Sequence, residues 1–291
     1  MYDIIGDTHG HADRLEHLLR TLGYTKQGTS YHHPGRRALF LGDYIDRGPQ
    51  NLQTVHIVRS MVDAGHAIAL MGNHEYNAIC YHTPATDGNG HLRPRIPKNT
   101  DQHQATLDEL ATHPPHVTQE LIRWFSQLPL IHEDDHIRAV HACWDTRHTQ
   151  RIRSTHPDAT LTLDALHESA TPGTPWFHTV DTTLKGPEIR LPDGLYFKDS
   201  YDHKRHDIRY RWWENTQRTL LPYNQMLIKP FLPEELDISL HEMDQALAAH
   251  TCPVDTTHSR VHPADKPVFF GHYWLTRQPT LITPNVCCLD Y

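Results

Sequence analysis

Five short polar blocks along the chain carry side chains that could together bind divalent metal ions. They contain aspartate, asparagine and histidine, whose oxygen and nitrogen atoms are common metal ligands. Any one block would occur often by chance, but five in order make a specific pattern. The blocks are Gly6–Gly10, Gly42–Gly48, Gly72–Glu75, Val140–Ala142 and Gly271–His272.

Each block directly follows a short apolar run that is typical of a buried strand. Strand ends in an α/β protein converge on one rim of the sheet, where ligands bind. The sequence therefore predicts that the five blocks meet at one edge. The predicted strands are Tyr2–Ile5, Ala38–Leu41, Ala67–Met71, Ile137–Val140 and Val268–Phe270.

The first eighty residues predict three successive strand–helix units, which favours a largely parallel core. Leucines recur at helical spacing after Gly10, and Gly23 ends that pattern. A second helix is predicted near Asn51–Ala64. Its inward-facing residues are predicted to be Leu52, Val55, Val58 or Met61, and Val62.

The rest of the chain predicts one domain, 1–291, that includes a long insertion. Residues 83–115 show little periodicity and predict an irregular loop near the site. A helix over 117–128 ends before Pro129, and Pro233–His250 is predicted to be helical. We expect segment 145–266 to form a cap within the domain.

The five blocks resemble those of the calcineurin-like metallophosphoesterases. The run Gly42–Gly48 is similar to the phosphoprotein-phosphatase branch, which includes bacterial serine/threonine phosphatases and dinucleoside tetraphosphatases, because Asp46-Arg47 is not general to the superfamily. The resemblance covers residues 1–80, the surroundings of His141 and residues 267–291. It implies an α/β fold, a sandwich of two mixed sheets flanked by helices, with a dinuclear site on one edge.

The resemblance also implies a set of protein ligands for each of two divalent metal ions. Asp43 would bridge them, Asp7 and His9 would complete the first metal's protein ligands, and three further residues would complete the second's. A set without thiolate favours manganese, with iron or zinc as alternatives. The second metal's own ligands would be Asn73, His141 and His272.

By the same resemblance, a metal-bridging hydroxide would attack phosphorus in line, and His74 would protonate the leaving group. Asp46 would orient His74, and the planar fork of Arg47 suits phosphate oxygens. Glu75 either supports His74 or only packs and hydrogen-bonds locally. The alternatives for Glu75 are weighted equally.

Three features depart from the protein-phosphatase pattern. The family carries a second phosphate-binding arginine between the last two metal histidines, and here Lys185 before Gly186 takes that interval. Met71 stands where eukaryotic relatives have arginine. The run Gly271–Trp274 resembles the Gly-His-Trp of dinucleoside tetraphosphatases, so a second histidine two residues after His272 is missing and the first metal would have fewer protein ligands.

The run Lys204–Trp213 is cationic and aromatic, and it allows two interpretations. It could stack a nucleobase and bind extra phosphates. The simpler interpretation, which we favour, is an alternating strand with Ile208, Tyr210 and Trp212 pointing inward.

Composition excludes several classes of protein. A net charge of −8 with histidine neutral argues against general nucleic-acid or membrane-surface binding. No apolar run approaches a membrane span. Because the first block begins at residue 6, we expect no signal peptide and a cytoplasmic location. We also expect reduced cysteines. We interpret the twenty-three histidines outside the blocks as compositional drift on the protein surface.

Three functions remain. The leading hypothesis is a metal-dependent phosphatase acting on phosphoserine or phosphothreonine proteins or similar monoesters. The alternative keeps the chemistry but takes diadenosine tetraphosphate or another nucleotide. A catalytically silent scaffold ranks far below, because all six predicted ligand positions are intact.

Overall fold

The computed structural model describes residues 1–86, 88–198, 202–214, 220–228, 233–253, 265–275 and 278–291. The strands are β1 (Tyr2–Ile5), β2 (Thr25–Gln27), β3 (Ser30–His32), β4 (Arg37–Phe40), β5 (Ala67–Ala69), β6 (Ile131–Glu133), β7 (Arg138–Val140), β8 (Glu188–Arg190), β9 (Phe197–Lys198), β10 (Lys204–Arg205), β11 (Asp207–Arg209), β12 (Leu220–Pro222), β13 (Thr251–Pro253), β14 (Val268–Phe270) and β15 (Val286–Cys288). The helices are α1 (Ala12–Thr21), α2 (Asn51–Asp63), α3 (Asn73–His82), α4 (Pro97–Ala111), α5 (Pro115–Phe125), α6 (Thr146–Thr155), α7 (Leu163–Ser169), α8 (Pro175–Lys185), α9 (Tyr223–Met226) and α10 (Leu240–Ala249).

Two sheets form the centre of the fold. One is parallel, in the order β1-β4-β5, and the other is mixed, in the order β15-β14-β7-β6 with β6 antiparallel to β7. Leu39, Leu41, Leu70 and Ala139, all fully buried, form an apolar cluster that draws on both sheets. This arrangement confirms the predicted α/β fold and its five strands. Of the two sheets, both expected to be mixed, the first is wholly parallel.

Helices α1 and α2 cover the parallel sheet with the apolar faces that the sequence predicts. Leu15 and Leu19 are buried on α1, which ends before Gly23 at φ +87°. On α2, Val55, Val58 and Met61 are all buried. Val58 and Met61, the two candidates for the third inward position, therefore both face the core, because they are about one helical turn apart.

The prediction of an irregular segment over 83–115 is wrong for its second half, because α4 runs from Pro97 to Ala111. The buried face of this helix consists of His103, Thr106 and Leu110. Those positions have helical spacing, but two are polar, so no apolar periodicity marked them. Pro97 occupies the first turn, where its missing N–H costs nothing.

Segment 145–266 contributes to two cores. Helices α6, α7 and α8 bury Ile152, Leu166 and Val180 in the main core. The later part builds a second cluster around Met226 and Met243. Packing in both clusters does not separate a cap from the rest of the domain, so the cap over 145–266 stays a prediction. The helix expected over 233–250 begins only at Leu240, where Ser239 and Glu242 form a capping box.

All five cysteines are free thiols, as predicted. No helix in the described part of the chain is long and apolar enough to cross a membrane.

Candidate metal centre

The ends of β1, β4, β5, β7 and β14 meet at one edge of the two sheets, as the sequence predicts. The edge holds the carboxylate of Asp43 at its centre. His9 Nε2 lies 3.7 Å from Asp43 Oδ2 and 3.9 Å from Asp7 Oδ2. His141 Nε2 lies 3.4 Å from Asp43 Oδ1 and 3.1 Å from Asn73 Oδ1.

Asp43 belongs to two groups of possible ligand atoms, each within 4.8 Å of one another. His141 and His272 complete one group. His9 and His74 complete the other, while Asp7, the ligand expected beside His9, has its Oδ2 3.9 Å from His9 Nε2. Asp7 remains close, because both of its carboxylate oxygens accept from the His272 N–H at 3.2–3.3 Å.

Backbone carbonyls orient two of the histidines toward the cavity. Nδ1 of His141 lies 2.8 Å from Leu41 O, and Nδ1 of His9 lies 3.0 Å from Ile45 O. Each Nδ1–H donates to its carbonyl, which leaves Nε2 with a lone pair for a metal.

Two glycines let the turns that carry Asp43 and Asn73 approach each other. A Cβ on Gly42, at φ +108°, would lie 2.5 Å from Gly72 N. A Cβ on Gly72 would lie 2.2 Å from Asp43 Oδ1. Any other residue at either position would push the two turns apart.

Glu75 ties the same turns together through their backbone. Its fully buried carboxylate accepts from the N–H groups of Asp43 and Tyr44, both at 2.8 Å, and of Gly72 at 3.0 Å. Burial and the charge of Asp43 raise the pKa of Glu75 to about 7. Of the two interpretations of Glu75, the structure favours local hydrogen bonding that shapes the site.

The buried acidic side chains at this edge form a suitable environment for cations. The side chains of Asp7 and Asp43 are 3% and 2% exposed. Burial and the neighbouring charge of Asp43 raise the pKa of Asp7 well above its ordinary range. His272 Nε2 is buried with no hydrogen-bond partner among the described residues, and burial lowers the pKa of His272, which keeps its ring neutral. Two buried carboxylates close together and a neutral imidazole suit divalent metal ions.

His74 is held by Asp46, as predicted. Its Nδ1 lies 2.8 Å from Asp46 Oδ2. Burial alone would lower the pKa of His74, but the charges of Asp43 and Asp46 outweigh it and raise the pKa above its ordinary value. The shift favours the protonated form of the ring.

His103 and Thr106 support Asp46 from α4, a role that the sequence analysis did not assign to them. His103 Nδ1 lies 2.7 Å from Asp46 Oδ1, and Thr106 Oγ1 donates to the same oxygen at 2.6 Å. His103 is buried, so the interpretation of the histidines outside the blocks as surface drift is wrong for it. The only signal was a polar i, i+3 pair within a helix that the sequence analysis did not predict.

A cavity of about 560 Å³ opens over these candidate ligands, and three arginines line it. They are Arg47, which the sequence analysis named, Arg93, and Arg209 of β11. The Nε of Arg209 donates to Lys185 O at 2.7 Å. Lys185 itself does not line the cavity, and its Nζ lies 2.6 Å from Asp181 Oδ1.

The run 204–213 mostly packs inward. Ile208, Trp212 and Trp213 are buried, and both tryptophan rings contact Phe270. This outcome confirms inward packing of Ile208 and Trp212 and excludes a base-stacking platform built from the tryptophans. The exposed aromatic residue at the cavity is Trp274, which is 64% exposed and lies 6.0 Å from the Arg47 guanidinium.

Comparison with known proteins agrees with this geometry. The sequence profile described as calcineurin-like phosphoesterase matches residues 2–252.

The chain belongs to the calcineurin-like phosphoesterase family.

Curated relatives of the chain include asymmetrical bis(5′-nucleosyl)-tetraphosphatases PrpE. The protein from Halalkalibacterium halodurans is 46% identical over 74 residues, which cover 25% of this chain and 30% of the relative. The one from Bacillus cereus is 30% identical over 147 residues, or 48% of this chain and 55% of the relative. The matches thus span between about a third and about half of those relatives.

A cold-active protein-tyrosine phosphatase from a psychrophilic Shewanella is similar in structure. Its crystal structure is 17% identical to this chain at a TM-score of 0.46, and the match covers 99% of this chain and 70% of the phosphatase.

Calcineurin-like phosphoesterases use a dinuclear divalent metal centre, and the residues of this chain fit one. The shared carboxylate of Asp43 lies between two imidazole-containing groups. The amide of Asn73 and the buried, unpartnered Nε2 of His272 would complete the second group.

Proposed function

We propose that this protein is a phosphoester hydrolase that depends on two divalent metal ions, with manganese preferred and iron or zinc as alternatives. The observation that carries the proposal is Asp43, whose carboxylate is shared by two groups of ligand atoms within 4.8 Å. Asp7 and His9 would hold one ion with Asp43. Asn73, His141 and His272 would hold the other.

The bound metal ions would activate water and neutralise charge on the phosphoryl group. In hydrolysis a bond forms between the water oxygen and phosphorus while the water gives up a proton to solvent, and the bond to the leaving oxygen breaks with its electron pair. His74 donates a proton from Nε2 to that leaving oxygen. Asp46, at 2.8 Å from Nδ1, would keep the ring oriented and favour its protonated form.

Arg47 and Arg209 would hold the phosphoryl oxygens. Both line the cavity, and the backbone carbonyl of Lys185 fixes the Arg209 guanidinium at 2.7 Å. A planar fork suits phosphate better than the point charge of a lysine. We therefore assign to Arg209 the second phosphate-binding role that the sequence suggested for Lys185.

We favour a nucleotide, of the dinucleoside tetraphosphate class, as substrate. Trp274 offers an exposed ring at the cavity on which a base can stack. The curated relatives named above carry that activity in their names. The second candidate is a phosphoserine or phosphothreonine protein, which the Asp46-Arg47 pair of the Gly42–Gly48 run favours.

A substrate panel with several divalent metals tests the proposal. The full chain with Mn²⁺ should hydrolyse an aryl phosphate, and His74→Asn should lower kcat by roughly 10²–10⁴-fold without changing metal content. Diadenosine tetraphosphate and a phosphopeptide, compared at equal enzyme concentration, separate the two substrates. Full activity of His74→Asn on the aryl phosphate would refute the proposed role of His74 as the acid.

A further inference from the structure

The cavity extends beyond the metal ligands along one face of α3. His74, Asn77 and Tyr81 all line it, at the i, i+3 and i+7 positions of the helix. Residues three apart lie on the same face, roughly 5 Å along the axis. A group that continues from the leaving oxygen at His74 therefore meets Asn77 next.

Arg93 reaches this part of the cavity and is held by two neutral amides. Its Nη1 donates to Asn77 Oδ1 at 2.7 Å, and its Nη2 donates to Gln102 Oε1 at 2.6 Å. Among the residues that the structure describes, no carboxylate lies within ion-pair distance of this guanidinium. Arg93 is only half-buried, yet burial lowers its pKa, which shows that the cation is partly desolvated.

The two amides are fixed in the orientation that favours an anion. Because their carbonyl oxygens accept from Arg93, their NH₂ groups must point elsewhere. A guanidinium has five donors, of which the amides use two, so donors remain for a ligand. Arg93, Asn77 and Gln102 thus line one region of the cavity with a guanidinium, its unused N–H donors and two neutral amides.

We propose that Arg93, Asn77 and Gln102 form a second anion subsite, which binds a phosphate carried by the leaving group. The inference rests on the proposed function, because it takes His74 as the acid that marks the leaving side. A substrate that fits is a phosphoanhydride, in which the scissile phosphate is followed by another phosphate. A serine or threonine side chain as leaving group carries no such charge.

The test compares Arg93→Gln with the native full chain in Mn²⁺. Substrates are adenosine triphosphate and inorganic tripolyphosphate, which carry the second phosphate, and p-nitrophenyl phosphate, which does not. Loss of a charged hydrogen bond predicts that kcat/KM on both anhydrides falls by about 10–100-fold, at least tenfold more than on the aryl phosphate. Arg93→Lys should recover part of the loss.

Arg95→Gln is the matched control. Arg95 is an exposed cation two residues away that stacks 4.9 Å over the Tyr81 ring and does not line the cavity. Its loss should not change the ratio between anhydride and aryl phosphate. Thermal melting of each variant checks folding, and if Arg93→Gln unfolds, Asn77→Asp should produce the same selective loss by adding a negative charge.

Each other outcome overturns the inference. An equal loss on all substrates would mean that Arg93 only shapes the site, and an unchanged anhydride rate would mean that it binds no phosphate. Loss with the nucleotide but not with tripolyphosphate would mean contact with the nucleoside. If the native chain cleaves aryl phosphate but neither anhydride, the subsite fails while the proposed function stands, whereas no hydrolysis of any phosphoester would remove the proposed function itself.

Discussion

The carboxylate of Asp46 accepts hydrogen bonds from three side chains on two helices. His74 belongs to α3, and His103 and Thr106 belong to α4. A carboxylate held at both oxygens cannot rotate away from its histidine, so the orientation of His74 depends on α4 as well as on its own helix.

The second cation near the phosphate can be identified by comparing Arg209→Gln with Lys185→Gln. We expect kcat/KM on an aryl phosphate to fall about 10–100-fold in Arg209→Gln, because a charged, bidentate contact is lost. Lys185→Gln should have a much smaller effect, since Nζ of Lys185 pairs with Asp181 at 2.6 Å. Steady-state kinetics measures both losses of kcat/KM. A larger loss in Lys185→Gln than in Arg209→Gln would assign the second phosphate-binding role to Lys185.

Turns between elements, more than the strands themselves, set the spacing of the ligands. Asp43, at φ +54°, and His272, at φ +68°, hold left-handed backbone conformations that non-glycine residues rarely adopt. Such strain persists only where surrounding contacts enforce it, as the hydrogen bonds of Glu75 do for Asp43. The turns are therefore part of the candidate metal site.

Gly42→Ala should damage the candidate metal centre more than the same substitution at another glycine with positive φ. Gly28→Ala is the control, because Gly28 also has positive φ (+62°) but a Cβ there meets nothing within 4 Å. We expect Gly42→Ala to lose roughly 1–3 kcal/mol more unfolding free energy, and to bind Mn²⁺ more weakly. Denaturant unfolding and metal titration measure both, and equal losses in the two variants would contradict the steric argument.

The turn between β6 and β7 predicts a pH-dependent contribution to stability. Burial would raise the pKa of Asp134, but the N–H groups of His136 and Ile137, at 2.8 and 3.0 Å, lower it to about 2. Since the folded pKa is below the ordinary 3.8, the contribution is complete above pH 3.8 and is lost as the pH falls through 2.

Asp134→Ala should therefore destabilise the protein at pH 7 by about 1 kcal/mol, and the difference from the native chain should shrink below pH 4. Denaturant titrations across that range measure it. Asp135→Ala, at the exposed neighbouring position, is the control. A constant difference down to pH 2 would show that the carboxylate charge is not responsible.

For the whole molecule, the metal centre joins segments that are far apart in sequence. The His272 N–H donates to Asp7, and His141 contacts Asp43 across the two sheets. Metal ions that bind these residues would therefore crosslink the two sheets. Without cations the buried carboxylates repel each other.

Metal removal should thus lower thermal stability as well as activity. Chelation is expected to lower Tm, and Mn²⁺ should restore it, with about 2.7 kcal/mol of stabilisation at a site when free metal is 100 times Kd. Asp43→Asn should show little Mn²⁺-dependent rise, because it lacks the shared carboxylate. An identical Tm with and without metal in the native chain would contradict the proposed centre.

Local sequence determined the ligand-bearing edge of this protein. Apolar runs specify strands, and short polar blocks at their ends specify where Asp7, Asp43 and Asn73 must lie, because each signal is contained in a few consecutive residues. The helices α1 and α2 were predictable for the same reason, since their apolar spacing is unbroken.

Only the tertiary structure decided which residues surround that edge. Arg209, Arg93 and His103 come from segments whose distance from the site in sequence carries no information about distance in space. Helix α4 buries a polar face, so no apolar periodicity marked it in the sequence. In the structure, His103 of that face contacts Asp46. Contacts that depend on such long-range packing are set by the whole fold, whereas each proposed metal ligand is marked by its own neighbours in the chain.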